Sequence, residues 1–409
     1  MREMKDSGVP WIGEIPRDWA VSQLKFCVSC FDGKRVPVDA SLRKKGPYPY
    51  WGAGSITDWV DSYLFDEELV LLGEDGAPFF DSFRPVAHLI NEKVWVNNHI
   101  HVLKVIPTMD SRFLVYWLNS VDYHDYINGS ILSKLTQSKM NTIRVIIPPQ
   151  VVQQRIANFL DAKCAEIDAV MEKTLASIEE YKKLKQAVIT EAVTKGIRGD
   201  RQMKDSGVEW IGKIPKDWSI MKFGRCANVK SNLVDPKQYL DYPQVAPDCI
   251  EKGSARLIGP IRTVREANVI SWNHLFFKGQ IVYSKIRPLL NKLYIASFDG
   301  LCSADMYPIE TSQEARFVMY LMLSSYFLEQ IKQVTEDRVK MPKVNQEELS
   351  AFVVVLPMRR EQQEIVTYLD EKCAAIDSLI ASKEALITEL EAYKKSIIYE
   401  YVTGKKEVL

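Results

Sequence analysis

A chain of 409 residues with 46% hydrophobic and 26% charged side chains has the composition of folded domains, which excludes a disordered or fibrous protein. It carries 53 Lys and Arg against 53 Asp and Glu, so its net charge gives no indication of a nucleic-acid partner. The length predicts two or three domains. No apolar run approaches the roughly 18 residues that cross a bilayer, and residues 1–8 hold no apolar signal-peptide core, so we expect no membrane partner and a cytoplasmic location.

The first element in the chain is MKDSGVPWIGEIPRDW at residues 4–19, which returns as MKDSGVEWIGKIPKDW at residues 203–218. Thirteen of the sixteen positions are identical, so the chain contains an internal repeat that heads each half. Each copy stands where a long helix, a linker and a globular segment are expected to meet, and the proline that both copies share, Pro16 or Pro215, favours an extended path. The apolar side chains predicted to fill this joint are Trp11, Ile12, Ile15 and Trp19, with Trp210, Ile211, Ile214 and Trp218.

The thiols give no indication of a metal centre or of a disulfide framework. The seven cysteines are scattered and odd in number, which favours reduced thiols. Cys27 and Cys30 form a CxxC pair, but a zinc site needs a second pair of ligands, and the five histidines offer none at a suitable spacing. We therefore expect no metal site in this chain.

Two segments, at about residues 20–147 and 219–356, have the mixed pattern of α+β domains. Aliphatic runs predict strands at 69–72, 94–96, 281–283 and 352–355, and apolar helical patterns lie at 113–118 and 315–327. The order of elements is shared between the segments, whereas their sequences differ. This combination is expected if each segment reads a different target on the same frame.

Basic side chains cluster in both segments, with amide and aromatic side chains beside them. Arginine, lysine and asparagine are the residues that read base edges or hold phosphates, although such clusters are also common on solvated faces. The candidate DNA-binding residues are Lys34, Arg35, Arg43, Lys44, Lys45, Tyr48, Tyr50, Asn97 and Asn98 in the first segment, and Asn232, Lys285, Arg287, Asn291, Lys292, Arg338, Lys340 and Lys343 in the second.

Motifs for catalysis are absent from the sequence. Gly52-Ala53-Gly54 lacks the rest of a dinucleotide-binding fingerprint, and there is no GxxxxGK[ST], HExxH or GxSxG sequence. A two-domain enzyme built on His99, His101, Glu74 and Asp75 remains the alternative; it predicts activity of the isolated chain. We expect no catalytic residue and a non-enzymatic chain.

Each half ends in a long predicted helix that follows Pro148-Pro149 or Pro357 and ends near Gly196 or Gly404. Eight of ten residues at heptad spacing are apolar in each helix, which indicates a coiled-coil seam; two amphipathic helices on separate domains would give a similar pattern. If the seams pair antiparallel, the fold is a pseudo-two-fold repeat. The seam is predicted to include Leu160, Cys164, Ile167, Met171, Ile178, Tyr181 and Val188, with Leu369, Cys373, Ile376, Ile380, Ile387, Leu390 and Ile397.

These repeated motifs resemble those of the specificity (S) subunits of type I restriction–modification systems over essentially the whole chain. The WIG-x-IP-x-DW core resembles the segment that introduces each target-recognition domain of that family. The sequences IIPP…QQ…I…LD at 146–161 and VLP…EQQ…I…LD at 355–370 resemble its conserved helix start, and EYVTGK at 400–405 resembles its C-terminal ending. GQIVYSKIRP at 279–288 is similar to a recurrent recognition-domain strand. The first copy departs at Val152, where the second has Glu361.

The resemblance implies an α+β fold with two target-recognition domains separated by a long antiparallel coiled coil. It divides the chain into a first recognition domain with its N-terminal conserved segment at 1–147, a first conserved helix at 148–196, a linker, second conserved segment and second recognition domain at 197–356, and a second conserved helix at 357–409. Each domain would read half of a bipartite, asymmetric site in double-stranded DNA, and the coiled coil would set the spacer between the halves.

The resemblance also implies partners that hold the catalytic machinery. Two methyltransferase (M) subunits would dock on the helices, and motor-endonuclease (R) subunits would join them. We expect no cofactor in this chain, with S-adenosylmethionine, ATP and Mg²⁺ in the partner subunits. The remaining alternative is an adaptor in which a coiled coil holds two protein-binding modules, and it predicts no sequence-dependent DNA binding.

Overall fold

The computed structural model describes residues 2–81, 83–127, 133–338 and 341–408, and the chain has an α+β fold. It divides into two compact units: the first contains Met1–Leu175 and Glu384–Leu409, and the second contains Ala176–Lys383. No helix in the described ranges combines the length and the hydrophobicity that crossing a lipid bilayer requires.

The first unit is built mainly from strands, followed by helices. Its elements are β1 (Met4–Asp6), β2 (Glu14–Pro16), β3 (Ala20–Gln23), β4 (Val28–Cys30), β5 (Lys45–Trp51), β6 (Ile56–Val60), β7 (Phe65–Asp66), β8 (Leu69–Gly73), β9 (Ala87–Ile90), β10 (Lys93–Val96), β11 (Ile100–Val105), α1 (Ser111–Leu118), α2 (Gln137–Met140), β12 (Arg144–Ile147) and the first part of α3 (Gln150–Lys195). Two four-stranded sheets have the orders β4-β11-β8-β9 and β6-β5-β10-β7, and two pairs, β1-β2 and β3-β12, complete the strand pairing.

The second unit repeats this plan. Its elements are the end of α3, β13 (Met203–Asp205), β14 (Lys213–Pro215), β15 (Ser219–Lys222), β16 (Ala227–Val229), β17 (Leu233–Val234), β18 (Gln244–Val245), β19 (Asn273–Phe276), β20 (Ile281–Ser284), β21 (Leu293–Ile295), β22 (Gly300–Cys302), β23 (Met306–Thr311), α4 (Ala315–Leu323), α5 (Ser325–Thr335), α6 (Gln346–Ala351), β24 (Val353–Leu356) and α7 (Arg359–Val402), of which residues 384–402 belong to the first unit. The sheet β16-β23-β20-β21 corresponds strand for strand to β4-β11-β8-β9.

Most of the predicted elements are confirmed, with one correction. The predicted strands correspond to β8, β10, β20 and β24, of which β24 begins one residue later than predicted, and the long helices begin one or two residues after their prolines, at Gln150 and Arg359. The helix predicted at 315–327 is instead two helices, because Ser324 has an extended backbone (φ −67°, ψ 153°). The Ser324 hydroxyl donates to the Leu321 carbonyl at 2.6 Å, a local bond that competes with helix continuation.

The repeated N-terminal segment packs against the end of a long helix in the first unit. Ile12, Ile15 and Trp19 are buried. They share one apolar core with Ile397 and Val402 of α7. Burying large apolar side chains at such a junction stabilises it by about 1.5–3 kcal/mol for each side chain. The predicted joint is confirmed in this unit.

The second copy makes the same joint with the end of α3. Ile211, Ile214 and Trp218 are buried in a core that includes Ile189 and Val193. The hairpin register is also repeated, since β1 pairs with β2 and β13 pairs with β14 in the same alignment. The sixteen-residue repeat therefore encodes one supersecondary unit twice.

Trp210 is the exception to the predicted joint, because 40% of its surface is exposed. Its counterpart Trp11 packs against Trp117, with ring centroids 5.7 Å apart, and against Tyr399 at 6.3 Å. In the second half the residue in register with Tyr399 is Thr190, which offers no ring. The first tryptophan of the motif is thus partly buried in the first unit, where α1 and α7 supply aromatic partners, and exposed in the second.

The repeated glutamines at the helix starts dock each helix on its own unit. The Gln153 side-chain oxygen accepts a hydrogen bond from the Asp110 amide at 2.8 Å, and that of Gln362 accepts one from the Glu314 amide at 3.0 Å. Each glutamine also donates to the carbonyl of the proline that precedes its helix, at 2.8 and 2.9 Å. Both side chains are buried, so these bonds fix the angle at which the helix leaves the sheet.

Within the first unit, the start of α3 runs antiparallel to the end of α7. The rings of Phe159 and Tyr401 lie 4.4 Å apart, and Lys394 donates to the Asp168 carboxylate at 2.6 Å. Moving forward along α3 therefore corresponds to moving backward along α7, as the predicted seam requires.

Within the second unit, the end of α3 and the start of α7 pair in the same way. Lys185 donates to both oxygens of Asp377 at 2.8 Å, and the Lys383 ammonium lies 5.7 Å from the Tyr181 ring centroid. Lys185 and Asp377 are the repeat counterparts of Lys394 and Asp168. The lysine at this matching position of each seam therefore forms an ion pair with the opposite helix.

All fourteen predicted seam residues lie on the inward faces of the helices. Those that are buried are Leu160, Cys164, Ile167, Ile178, Leu369, Cys373, Ile376 and Ile397. Those that are half-buried are Met171, Tyr181, Val188, Ile380, Ile387 and Leu390.

The glycines that end the two helices provide a matched stability test. Gly404 has φ +71°, and a Cβ there would meet Pro16 at 2.5 Å and Trp19 at 2.9 Å. Gly196 has φ +78°, but its nearest neighbour is the flexible Arg201 side chain at 3.0 Å. Alanine at either position would lose about 1–2 kcal/mol of stability through the left-handed backbone. At position 404, overpacking against Pro16 and Trp19 would add a further loss of about 1–3 kcal/mol.

We therefore expect Gly404→Ala to lower the thermal midpoint of the first unit more than Gly196→Ala lowers that of the second. Hydrogen exchange during heating separates the two units. Equal losses would show that Pro16 and Trp19 move aside without cost.

Candidate nucleic-acid interface

Three chain segments converge beyond the end of the central strand in each unit. In the first unit they are residues 74–76 after β8, 97–101 before and in β11, and 133–135 before α2; we call them the first cluster. In the second unit they are residues 285–287 after β20, 303–307 before and in β23, and 342–344 before α6; we call them the second cluster.

The two clusters share one backbone frame. The Glu74 amide donates to the carbonyl of residue 99, and the Leu135 amide donates to the carbonyl of Glu74. At the corresponding places, the Lys285 amide donates to Asp305 and the Val344 amide donates to Lys285. Bridges between residues 75 and 134 and between residues 286 and 343 complete the match. Glu74 and Lys285 therefore occupy the same position with opposite charge.

The first cluster rests on a half-buried ion-pair network. The Arg35 guanidinium lies 2.6 Å from a Glu74 oxygen and 3.4 Å from an Asp32 oxygen, and it also donates to the Ile100 carbonyl at 2.9 Å. These three side chains are only 10–13% exposed. Arg35 is thus held inside the unit and binds its own carboxylates.

His101 is the buried member of this network. It is fully buried, one ring nitrogen lies 2.6 Å from Asp32 and the other lies 2.8 Å from the Leu135 carbonyl. Burial acts to raise the pKa of Asp32, but hydrogen bonding and charge attraction from His101, with the Val102 amide and Arg35, outweigh it and hold this pKa below its usual value.

Asp32, Glu74 and His101 bring three ligand-type atoms within 4.8 Å of one another. The Arg35 guanidinium lies against both carboxylates, so their charge is already balanced by a cation of the chain. This arrangement is an ion-pair support for the first cluster.

The exposed side of the first cluster carries His99, Asp75 and Lys134. A ring nitrogen of His99 is hydrogen-bonded to Asp75, and the Lys134 ammonium lies 3.3 Å from oxygens of both Glu74 and Asp75. Hydrogen bonds to these carboxylates raise the pKa of Lys134. The structure therefore brings together the four residues of the enzyme alternative, and each is engaged in charge pairing that supports the loop.

The network makes Asp32→Asn a test of what holds the first cluster. The change removes the charge facing His101 and Arg35, and breaking a buried pair typically costs about 3–5 kcal/mol, so we expect a loss of about 2–4 kcal/mol because asparagine keeps some hydrogen bonds. The measurement is hydrogen exchange of first-unit amides at pH 7.

The pH dependence follows from the lowered pKa of Asp32. A carboxyl with a depressed folded-state pKa contributes stability that is present above its unfolded pKa of about 3.9 and is lost as the pH falls through the folded value. The difference between the two proteins should therefore persist from pH 7 down to about 4 and shrink only below it. The matched control is Asp122→Asn, which alters the exposed Asp122–His124 pair and should have little effect; equal losses would contradict the network.

The second cluster has three cationic side chains and one carboxylate. The Lys343 ammonium lies 3.0 Å from Asp305, and the Lys285 ammonium lies 4.9 Å from the Tyr307 ring centroid. Arg287 is exposed, and within the described part of the chain its guanidinium forms no ion pair or hydrogen bond. This cluster therefore presents cations to solvent.

The backbone around Arg287 is held in uncommon conformations. Arg287, Asn291 and Met341 have φ values of 45°, 46° and 47°, which non-glycine residues seldom adopt. The buried Asn291 side chain donates to the Met322 carbonyl at 3.0 Å, and the Arg287 amide donates to the carbonyl of residue 342 at 2.9 Å. Such strain persists where surrounding contacts over-determine it, and it clusters at binding sites.

Two apolar side chains beside Arg287 were missed by the sequence reasoning. Leu289 is 48% exposed and Met341 is 54% exposed. Apolar side chains in this position can contact the methyl group of thymine. Their hydropathy alone suggests a core role. Leu289 lies between the left-handed Arg287 and Asn291, and Met341 is itself left-handed, and the sequence does not reveal these conformations.

The other candidates of the first unit separate into exposed and engaged residues. Lys44, Lys45 and Asn98 are exposed. Lys34 is exposed and lies 4.2 Å from the Phe31 ring centroid. Of the DNA-binding candidates in the first unit, these four are the exposed ones.

The engaged candidates hold the fold around them. Arg43 lies over the ring of Tyr50 at 4.1 Å and pairs with Asp58 at 3.3 Å. Half-buried Tyr48 packs against a neighbouring tyrosine ring at 5.0 Å. Asn97 is 9% exposed, and its side-chain oxygen accepts a bond from the amide of residue 99. Tyr50 and Asn97 are buried, so they position backbone and do not face solvent.

In the second unit, Asn232 is exposed, whereas Lys292 donates to the carbonyl of residue 247 at 2.7 Å. Arg338 is paired with Glu348 and also donates to the Lys343 carbonyl. Lys340 lies outside the described residues. The structure thus brings together Lys285, Arg287 and Lys343, and it places Asn232 and Lys292 elsewhere in the unit.

Comparisons with known proteins agree with this duplicated frame. A family model described as "Type I restriction modification DNA specificity domain" matches residues 16–180 and again 215–392. The chain is similar to the type I restriction enzyme EcoDI specificity subunit of Escherichia coli, with 28% identity over 96% of this chain and 90% of the relative. It is also similar to the type I restriction enzyme MjaVIII specificity subunit of Methanocaldococcus jannaschii, with 22% identity over 96% of this chain and 94% of that protein.

A solved structure shares the fold. Its description is "Structural basis underlying complex assembly and conformational transition of the type I R-M system", and it matches with a TM-score of 0.67 at 13% identity over 96% of this chain and 99% of the other. At that identity the likeness supports the fold.

Proposed function

Because the chain belongs to the type I restriction–modification DNA specificity family, we propose that its first unit reads one half of a two-part DNA site and its second unit reads the other. The two family-model matches fall on the two units, which suits bipartite recognition. The asymmetry of the site follows from the difference between the units.

The shared frame with different side chains carries this proposal. The same backbone bonds hold Glu74 in the first cluster and Lys285 in the second, so a constant scaffold presents variable chemistry. Conserved backbone geometry with changed side chains is what two readers of different sequences need, since base edges are read by side chains placed in the groove.

The exposed residues of each unit supply the contacts in this proposal. In the first unit, Lys44 and Lys45 hold phosphates, while Asn98 and His99 face the bases. In the second unit, exposed Lys343 and half-buried Lys285 hold phosphates, and exposed Arg287 faces the bases. Lysine acts as a point charge toward phosphate, and arginine reads the two acceptors of guanine with its fork.

The paired helices, together with the linker that joins α3 to β13, set the spacer between the half-sites, and the helices dock two methyltransferase subunits. Motor-endonuclease subunits join that assembly. S-adenosylmethionine, ATP and Mg²⁺ act in those partners, and this chain contributes sequence recognition. Additional cations from the partners would account for DNA binding by a chain whose formal net charge is zero.

The experiment that tests this function is a map of methylated adenines in the host genome, with and without the gene. We expect a two-part motif with a fixed spacer that disappears on deletion and returns when the gene is restored. Sites methylated by other enzymes are the internal control.

The proposal fails if the co-expressed chain and partners methylate DNA without a two-part motif. It also fails if they bind every sequence equally, which is the result that an adaptor without DNA-reading function predicts.

A further inference from the structure

The second unit contains a buried carboxylate that joins three elements. Glu361, in the first turn of α7, is paired with Arg201, and its other oxygen accepts a hydrogen bond from the Trp218 indole at 3.2 Å. Arg201 also pairs with Asp217 at 2.9 Å. Only 8% of the Glu361 side chain is exposed. This one buried carboxylate therefore accepts from both the Trp218 indole N–H and the Arg201 guanidinium.

The first unit has the same donors without that carboxylate. Trp19 and Arg2 are the repeat counterparts of Trp218 and Arg201, and Val152 stands in place of Glu361. Among the residues that the structure describes, Asp18 is the one carboxylate that pairs with Arg2, at 3.0 Å. Trp19 is 1% exposed, and its indole nitrogen has no hydrogen-bond partner among the described residues. Leaving a buried donor unsatisfied costs about 1–3 kcal/mol.

A cavity lies at this place in the first unit. Its volume is about 40 Å³, and it is lined by Arg2, Trp19, Val152, Arg155 and Lys406 among others. Because one water needs about 10–15 Å³, the space holds roughly three waters or the head of a carboxylate. The cavity is thus explained by the same difference between the repeats, since Val152 is shorter than the glutamate at the equivalent position of the second unit.

The lining is cationic. Arg155 is exposed and has no ion pair within the described ranges, and Lys406 pairs with Glu400 at 2.7 Å. Glu407 also lines the cavity; it is exposed and accepts no hydrogen bond from Trp19. The start of α3 adds the positive end of a helix dipole.

We propose that this cavity is a carboxylate-binding site, in which an external carboxylate occupies the place that Glu361 fills in the second unit. One oxygen accepts from the Trp19 indole and the other from the Arg2 guanidinium, as in the second unit. The site is independent of DNA reading. Its ligand is a free small carboxylate or an acidic side chain of another protein chain, since both present the same group.

The probe for the test is acetate, titrated into the full-length chain while the Trp19 indole N–H signal is followed by NMR. The signal is assigned by its loss in Trp19→Phe. We expect a saturable shift of this signal, because acetate supplies the missing acceptor. Chloride at equal ionic strength is the control for non-specific salt effects.

The repeat supplies two matched variants. Val152→Glu places an internal carboxylate in the cavity, so the Trp19 signal should move without acetate and stop responding to it. Glu361→Val removes the internal carboxylate of the second unit, so the Trp218 signal should begin to respond. If Glu361→Val does not fold, the wild type and Val152→Glu still decide the question.

The source of the ligand is distinguished in the complex with partner subunits. Loss of the acetate response on assembly identifies a partner side chain, and an unchanged response identifies a free anion. A Trp19 signal in the isolated wild type that ignores acetate, or that responds equally in Val152→Glu, would overturn the site.

Discussion

Replacing Arg287 with alanine should weaken binding to the half-site of the second unit about 5–150-fold, the equivalent of the 1–3 kcal/mol that a bidentate base contact provides. The half-site of the first unit should remain fully specified. Arg287 is the exposed cation of the second cluster whose guanidinium has no partner among the described residues, so the side chain is not needed to hold the fold. The loss should therefore appear in recognition with the stability unchanged.

The backbone conformation at position 287 does not confound the effect of this substitution. Arg287 has φ 45°, and arginine and alanine both carry a Cβ, so the cost of the left-handed conformation is the same before and after the change. The measurement is binding of the assembled complex to duplexes in which one half-site at a time is scrambled. Arg265→Ala removes an exposed guanidinium from the same unit, where it pairs with Asp241, and should alter binding only slightly.

Arg287→Lys separates charge from geometry. Lysine keeps the positive charge but loses the planar fork, so it should retain phosphate attraction and lose discrimination at one base pair. If Lys restores full specificity, Arg287 contacts phosphate; if alanine abolishes recognition of both half-sites, the division of labour between the units is wrong.

The repeated features of the fold could be predicted because they are encoded locally and twice. The apolar joint at Ile15 and Trp19, the glutamine at each helix start and the heptad seam each follow from side-chain type and spacing alone. For Trp210, a partner from another element decided the outcome. Trp210 is exposed, and Thr190 of α3 stands where the first half has Tyr399.

The candidate site was predicted less well, for a physical reason. Sequence shows which residues are cationic, but not which of them already have an acidic partner. Arg35 and Lys34 are neighbours in sequence, yet Arg35 is held by Glu74 and Asp32 while Lys34 faces solvent. Leu289 was missed because its exposure depends on the left-handed residues at both ends of its short turn.

The departure at Val152 shows how small a change separates the repeats. In the sequence it is one substitution among many. In the structure it removes the acceptor of a buried indole and one of the two acid partners of an arginine. The internal repeat thus acts as its own control, because Glu361 shows what the same site does when the carboxylate is present.

The linker between α3 and β13 is predicted to affect the spacer length. Four residues inserted after Gly199 should change the spacer of the DNA site and leave the base sequences of both half-sites unchanged. A Cβ at Gly199 would meet no atom within 4 Å, so the insertion meets no steric obstacle at this point of the linker. On either side, Arg198 pairs with Glu364 and Arg201 pairs with Glu361, and both pairs belong to the second unit.

The size of this effect is limited by chain length and DNA geometry. Four residues span at most about 13–14 Å, and one base pair rises about 3.4 Å, so we expect a change on the order of one to four base pairs. Methylated-adenine mapping in a host that carries only the altered gene gives the new spacer directly. The original motif should lose its methylation entirely, because the half-sites no longer match the separation of their readers.

An equal insertion after Gly259 is the matched control. That glycine is also exposed, has open space around its α-carbon and belongs to the second unit, but it is separate from the linker in sequence. It should leave the spacer as it was. If the linker insertion instead changes the letters of a half-site, the linker takes part in base reading. If the spacer stays fixed, its length is set by the helix pair alone, because the seam of α3 and α7 is untouched by the insertion.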